Sequence, residues 1–273
     1  ARSAAMIDST RENRYPDAIF DPHYGCGCYR RAIVLQRDTS SCVRAAVEDD
    51  PHAFAVTLEH DGERVLEISA EARRYPLTTC HEATQELRAL IGAPLTDPLR
   101  TLSSWQNPRA HCTHLYDLAA LAMVHARRAV RVQRYDVAIP DVVEGRTVAT
   151  LDCNGERVLS WTLEHGVIVA PERYAGQKVF GGFTSWARET LDDDAFEHSF
   201  LLQRGFLVAL SRRFDEDALS PGPASQYPMQ PDSCYSYSTR HSSRAWRVSG
   251  NRRDFTDAGN EALLRWFDPA APV

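Results

Sequence analysis

Runs of four short strand-like segments, each closed by a turn signal and followed by a helical stretch, occur twice along this chain of 273 residues. The first run is Tyr29–Arg37, Cys42–Asp49, Ala53–His60 and Arg64–Ala70, divided by signals such as His60-Asp61-Gly62. Side chains of a strand alternate between two faces, so segments of this kind settle as an antiparallel meander with at least one face covered. Thr78-Thr79 then opens a helix to about Leu90, with Glu82 three residues after Thr79 as in a capping box, and Gly92-Ala93-Pro94 ends it. A second helix spans about His111 to Arg128. The second run is Ala129–Ile139, Arg146–Cys153, Arg157–Leu163 and Gly166–Ala170, with Asn154-Gly155 as a hairpin turn. A long helix from about Asp192 to Arg213 follows, its first turn acidic where the helix dipole favours it. Its apolar stripe is Phe196, Phe200, Leu207, Leu210 and Phe214, with Gln203 inside the stripe. The expected class is α+β: antiparallel sheet packed by three main helices, with two related halves around a central cavity.

Residues 1–27 lack periodicity and read as an N-terminal arm; 28–273 read as a single α+β domain. Within it the runs suggest a duplication, 28–128 and 129–219, with a C-terminal extension over 220–273. An internal echo supports this: Asp61-Gly62-Glu63-Arg64-Val65-Leu66 and Asn154-Gly155-Glu156-Arg157-Val158-Leu159 share five residues. In the extension, Ser220-Pro221-Gly222-Pro223 through Pro231 reads as loop, Cys234-Tyr235-Ser236-Tyr237 as an edge strand and Asn260–Phe267 as a short helix.

Hydrophobic residues at 43% and charged residues at 25% are ordinary for a water-soluble globular chain, and this length builds a core without disulfide or metal. The net charge of −6 and the absence of a Lys/Arg block argue against nucleic-acid binding. No apolar run reaches bilayer length and the first residues carry no signal-type stretch, so the expected compartment is the cytoplasm and no membrane partner is expected. Seven scattered cysteines read as reduced thiols, and Cys26-Gly27-Cys28 as small residues in a turn. Phosphate-binding glycine loops, GxSxG elbows and HExxH helices do not occur.

The densest chemistry is His111-Cys112-Thr113-His114-Leu115-Tyr116-Asp117-Leu118. On a helix His111, His114 and Asp117 share a face, and His125 lies three turns beyond His114 on nearly the same side. The helix is otherwise apolar, so a buried imidazole there needs a partner for each nitrogen: Asp117, a backbone carbonyl or a metal. His114, Cys112 and Asp117 are the candidate catalytic residues, His114 and His125 the cofactor-binding ones, His111 and His114 the metal ligands. Cys112 is about 200° of helical rotation from His114, so it is no ready Cys–His pair, and a base for it would come from elsewhere, such as His81. An aromatic cluster (Tyr174, Phe180, Phe183, Trp186, Phe196, Phe200, Phe206) beside Gly181-Gly182 reads mainly as core, with a pocket for a flat apolar ligand as the alternative.

Glu59-His60-Asp61-Gly62, Arg74-Tyr75-Pro76, Thr79-Cys80, Leu90-Ile91-Gly92 and Cys112-Thr113-His114-Leu115-Tyr116-Asp117-Leu118 carry a likeness. Together with Cys234-Tyr235 and Arg253-Asp254-Phe255 they make residues 28 to 255 resemble an uncharacterised bacterial domain family with a Cys-Thr-His-Leu motif and an upstream cysteine. That family usually has glycine where this chain has His111, and it implies no reaction. The leading expectation is an enzyme acting on a small apolar or aromatic metabolite, an oxidoreductase using haem or iron with His114 as ligand. An acyl or thioester hydrolase with Cys112 as nucleophile, and a non-catalytic carrier of a hydrophobic ligand, are the alternatives. A homo-oligomer stays an open option.

Overall fold

The computed structural model describes residues 19–95, 99–100, 107–215, 217–218, 222–226 and 232–267. Eight strands form one antiparallel sheet: β1 (Cys28–Thr39), β2 (Cys42–Asp49), β3 (Ala53–His60), β4 (Val65–Arg74), β5 (Val132–Pro140), β6 (Arg146–Cys153), β7 (Glu156–Glu164) and β8 (Val167–Ala170). Their order is β4-β3-β2-β1-β5-β6-β7-β8, so two meanders of four strands meet at the pairing of β1 with β5, from Cys28 opposite Pro140 to Gln36 opposite Val132. Among the described residues three α-helices accompany the sheet: α1 (Thr113–His125), α2 (Phe183–Thr190) and α3 (Asp193–Ala209).

One face of the sheet carries both long helices. On β1 the inward residues Tyr29, Ile33 and Leu35 join a core shared with α1, α3 and the inner faces of β5, β6 and β7. α1 packs on β1 to β3, and α3 on β5 to β7. Ala32 and Val34 point the other way and are covered by Leu263 and Leu264 of the C-terminal segment, with Trp266 and Phe255 against them. This two-sided cover explains why β1 reads as a nearly continuous apolar run instead of a clean alternation. α3 approaches β5 closely at Gly205, where a Cβ would stand 2.9 Å from Val137 Cγ1.

Several sequence expectations shift. The helix expected from Thr79 is a 3₁₀ helix, Glu82–Leu90. No capping box forms there, because Thr79 donates its hydroxyl to Ser236 (2.9 Å) while Glu82 pairs with Arg244 (2.6 Å) and accepts from Tyr235 (3.2 Å). α1 begins two residues later than expected: its N-cap is Cys112, and His111 stands outside in extended backbone. α2 emerges from the stretch read only as an aromatic cluster, and Phe183 and Tyr174 pack on Trp161 at 5.1 and 5.7 Å between ring centroids, as core. α3 ends at Ala209 and continues as a 3₁₀ turn, Leu210–Arg213. Its buried face runs through Phe196, Leu202, Gln203 and Phe206, while Phe200 and Leu207 are only half-buried. Gln203 is satisfied there, accepting from Thr184 and donating to the Val179 carbonyl, both at 2.8 Å. Cys234–Tyr237 forms turns and no strand, and the helix expected at 260–267 is a 3₁₀ turn, Asn260–Ala262. Residues 1–18 of the expected arm, and 220–221 and 227–231 of the expected loop, lie outside the described residues.

The internal echo falls on non-equivalent positions. Asp61-Gly62 lies in the β3–β4 connection and Asn154-Gly155 in the β6–β7 hairpin, whereas the strand order matches β3–β4 with β7–β8. The first loop spans four residues and the second two, with Asn154 and Gly155 both at positive φ as a tight I′-type turn needs. Shared turn chemistry therefore accounts for the likeness of the two hexapeptides.

Arg212 gathers the segments that do not belong to the sheet. Its guanidinium donates to Asp141 (2.8 Å), Asp50 (2.6 Å) and Thr256 (3.3 Å), and Asp141 in turn accepts from the amides of Gly25 (3.1 Å) and Gly27 (2.9 Å). One buried cation thus joins the β2–β3 turn, the end of β5, the chain leading into β1 and the C-terminal segment. Replacing Arg212 by methionine leaves Asp50 and Asp141 buried without it, and urea unfolding should show a loss of about 3–5 kcal/mol. Burial pushes the Asp50 carboxyl up to about 7 despite Arg212, and one of its oxygens has no hydrogen-bond partner. A carboxyl raised on folding contributes stability below its unfolded pKa that is lost as pH rises through its folded value. Wild type should therefore lose stability relative to Asp50→Asn between about pH 4 and 7, by at most about 1.4 kcal/mol per pH unit; a flat difference across that window would contradict this.

Candidate functional site

The β2–β3 connection is a tight loop in which turn chemistry itself assembles a site. Asp49 closes β2, and its Oδ1 accepts the backbone amide of His52 at 2.9 Å and the His52 Nδ1–H at 2.8 Å. Asx turns of this type are what place aspartate at loop starts. The other oxygen, Oδ2, accepts from Tyr29 Oη (2.8 Å) and from Arg31 Nε (2.9 Å) and Nη2 (2.6 Å). Asp49 is fully buried. Burial alone would raise its carboxyl, but the fields of His52 and Arg31 outweigh that and hold it well below the usual carboxylate range.

The first turn of α1 brings His114 onto this loop. Its ring lies 3.8 Å from that of His52, centroid to centroid, and further out it stacks on Phe54 at 6.3 Å. Burial, reinforced by His52 and Arg31, holds His114 well below the ordinary imidazole pKa, so the ring is neutral with lone pairs available. Asp49, His52 and His114 each offer one donor atom, and these atoms all lie within 4.8 Å of one another. Among the described residues this is the group of His, Cys, Asp and Glu with that spacing.

Beside it lies a small cavity of about 20 Å³, room for roughly one water. Arg31, His114, Asp117 and Arg204 supply its polar wall, and Leu118, Leu121 and Phe200 its apolar wall. Asp117 on α1 pairs with Arg204 on α3 at 2.8 Å, so an ion pair spans the seam between the two long helices. Burial pushes the Asp117 carboxyl up, and Arg204 pulls it back.

The residues expected as one helical stripe separate. His114 and Asp117 both reach the cavity, whereas His111, outside the helix, packs on Tyr116 with ring centroids 5.0 Å apart and leaves Nδ1 unpartnered. His125, at the far end of α1, donates from Nε2 to the Arg131 carbonyl at 3.0 Å, a bond that fastens the helix end to the lead-in of β5. Cys112 is buried, and its thiol is pushed well above the normal value, first by burial and then by the fields of Cys80 and Cys234. His81 is exposed, its ring set against Tyr75, and among the described residues no histidine hydrogen-bonds Cys112.

Asp49, His52 and Arg31 were not singled out from the sequence, although two signals were present. Arg31 sits in phase with Tyr29, Ile33 and Leu35 on the apolar face of its strand, where a charge needs a buried counter-charge. Asp49-Asp50-Pro51-His52 ends an Ala- and Val-rich strand with two carboxylates in a tight turn.

Residues 36–128 match the model of a family described as a protein of unknown function (DUF2889). The matched stretch is about a third of the chain, narrower than the 28–255 over which the motifs resemble such a family. It carries Asp49, His52, Cys80, Cys112, His114 and Asp117, while Arg31, Arg204 and Cys234 lie outside it. None of the curated proteins compared with the chain matches it. No helix among the described residues is long and apolar enough to cross a membrane.

Arg31 and Asp49 form the buried pair on which the site depends. Truncating Arg31 to methionine leaves the Asp49 carboxylate buried with fewer donors, and a loss of about 3–5 kcal/mol in urea unfolding is expected. His114→Gln, at a half-buried position with no hydrogen bond to lose, should cost under about 1.5 kcal/mol.

Proposed function

We propose that the protein is a metal-dependent enzyme that holds a divalent transition metal, iron(II) by preference, through Asp49, His52 and His114 and oxidises a small apolar substrate with dioxygen as the oxidant. The observation that carries this reading is the convergence of one carboxylate and two imidazoles to within 4.8 Å, with His114 of the three lining a small cavity. Two donors at right angles around a common ion, each about 2.1 Å from it, stand roughly 3 Å apart. Asp49 Oδ1 and His52 Nδ1, at 2.8 Å, already have that separation, so an ion takes the place of the proton they share. Two histidines and one carboxylate are the donor set with which iron(II) keeps coordination positions open for oxidative chemistry.

The surrounding residues have definable tasks. Tyr29 and Arg31 occupy Asp49 Oδ2 and so aim Oδ1 at the ligand position, as outer hydrogen bonds to a ligating carboxylate do. Burial keeps His114 unprotonated, the state in which an imidazole ligates. Leu118, Leu121 and Phe200 keep bulk water away from the open side.

Charge narrows the substrate class. Asp49 and Asp117 are balanced by Arg31 and Arg204, so a divalent ion adds positive charge that anionic ligands must offset. A small apolar or aromatic acid supplies both a carboxylate for the ion and a hydrocarbon body for Leu118, Leu121 and Phe200. A cavity of about 20 Å³ accepts such a molecule only after α1 and α3 part at the Asp117–Arg204 seam, and it is far from the room a porphyrin needs; iron without haem is the form that the geometry supports. The hydrolase reading finds less support, since Cys112 keeps its proton and lacks a base.

Anaerobic titration with iron(II) or cobalt(II), followed by calorimetry, tests the reading. Wild type should bind one equivalent more than His114→Ala, which should stay folded by circular dichroism, and Tyr29→Phe should weaken binding of that equivalent by roughly 10–100-fold. Equal binding by wild type and His114→Ala would overturn it.

A further inference from the structure

The start of α1 and the second half of α3 both line the cavity, and each supplies it with residues one helical turn apart. On α1, Asp117 lies one turn after His114, and Leu118 and Leu121 continue the wall. On α3, Arg204 lies one turn after Phe200, so the two share a helix face. The Arg204 guanidinium sits over the Phe200 ring, its central carbon 4.7 Å from the ring centroid. An aromatic ring under a guanidinium steadies it by cation–π attraction and leaves the N–H groups at its rim for other partners.

Arg204 is used differently from the arginines deeper in the protein. Arg31, Arg128 and Arg212 each donate hydrogen bonds to their carboxylates. Arg204 Nε stands 2.8 Å from Asp117 Oδ2, yet its N–H is not aimed at that oxygen and makes no hydrogen bond. Among the described residues the two terminal nitrogens of Arg204 donate none either. The side chain keeps 29% of its surface exposed, against 4% for Arg31 and 6% for Arg212, so a group arriving at the seam can reach it. A planar fork with two parallel N–H groups unused matches a carboxylate, whose two oxygens accept from both at once.

We propose that Arg204 is the receptor for a second anionic group of the substrate, which makes the substrate a dicarboxylic acid with an apolar spacer. One carboxylate binds the ion held by Asp49, His52 and His114, and the other binds the terminal edge of Arg204. The first half of this assignment rests on the metal reading given above, and the second on Arg204 alone. His114 and Arg204 line the same small cavity, so a short molecule reaches both, and Leu118, Leu121 and Phe200 meet its spacer. Charge agrees with two carboxylates. Asp49 and Asp117 cancel Arg31 and Arg204, a divalent ion leaves two positive charges, and a monoacid would leave one of them buried without a partner. Asp117 stays beside Nε while the outer edge takes the ligand, so the two carboxylates share one guanidinium and repel each other.

The test uses the full chain under reducing, anaerobic conditions, loaded with cobalt(II) and titrated with succinate, glutarate and adipate, each beside its monomethyl ester. In wild type the best diacid should bind about tenfold or more tighter than its ester by calorimetry. Arg204→Met should erase that advantage while keeping the bound cobalt, and Arg204→Lys, which keeps the charge and loses the fork, should restore only part of it. Asp117→Asn removes the competing charge and keeps the side-chain shape, so it should tighten diacid binding about threefold or more. A pair that merely braced the helices would loosen it instead. Equal affinity for diacid and ester in wild type, an undiminished advantage in Arg204→Met, or weaker binding by Asp117→Asn would each overturn the proposal. Metal-free protein keeps the two readings apart. There Arg204→Met should weaken glutarate and its ester alike, about fivefold, by ligand-observed nuclear magnetic resonance. Absence of cobalt binding with this loss intact would sink the metal reading alone, and no loss would sink the role of Arg204.

Discussion

Two adjacent buried carboxylates at one turn, Asp49 and Asp50, set the demand that the rest of this structure meets. Isolated charges in a protein interior are so costly that each must find a cation, and successive residues at the end of a strand point in opposite directions. Asp49 therefore turns to the helix-covered face and takes Arg31, Tyr29 and His52, while Asp50 turns away and takes Arg212. The first choice creates a polar pocket inside an otherwise apolar core. The second ties the end of α3, the C-terminal segment and the chain before β1 to the same turn. The β2–β3 loop is thus where the chemistry and the fold are fastened together.

The sheet makes this possible by bringing two meanders edge to edge. Pairing of β1 with β5 places α1 and α3 side by side on one face, and the candidate site lies under the first turn of α1, beside their seam. A partly buried ion pair, Arg128 with Glu197 at 2.7 Å, joins the far end of α1 to α3, with Tyr135 donating to the same carboxylate. Between these anchors α1 is apolar on nearly every side, as a helix enclosed by a sheet, a second helix and a 3₁₀ segment should be. His114 and Asp117 interrupt that apolar surface near the start of the helix, and the cavity sits against them.

Periodicity told most about elements that hold themselves together. The edges of β2, β3 and β6 agree with the alternation of their residues, and Asp192 caps α3 through the Ala195 amide at 2.9 Å as an acidic helix start should. Where tertiary partners compete, local signals fail. Thr79 and Glu82 look like a capping box, yet Ser236 and Arg244, more than 150 residues away, take their hydrogen bonds. His111 looks like part of a helical face, but the helix starts after it. His114 and Asp117 could be picked out because they interrupt an apolar helix. Asp49 and His52 could not be joined to them, because nothing in a linear sequence says that the β2–β3 turn lies against α1.

The account stands on the ligation of one ion by Asp49, His52 and His114. X-ray absorption at the iron edge of the reconstituted protein tests it most directly. Nitrogen and oxygen scatterers at about 2.0–2.2 Å, with the outer-shell pattern of two imidazoles and no sulfur, are the predicted result. An ion seen only with water around it, or only with sulfur, would contradict the assignment of this site.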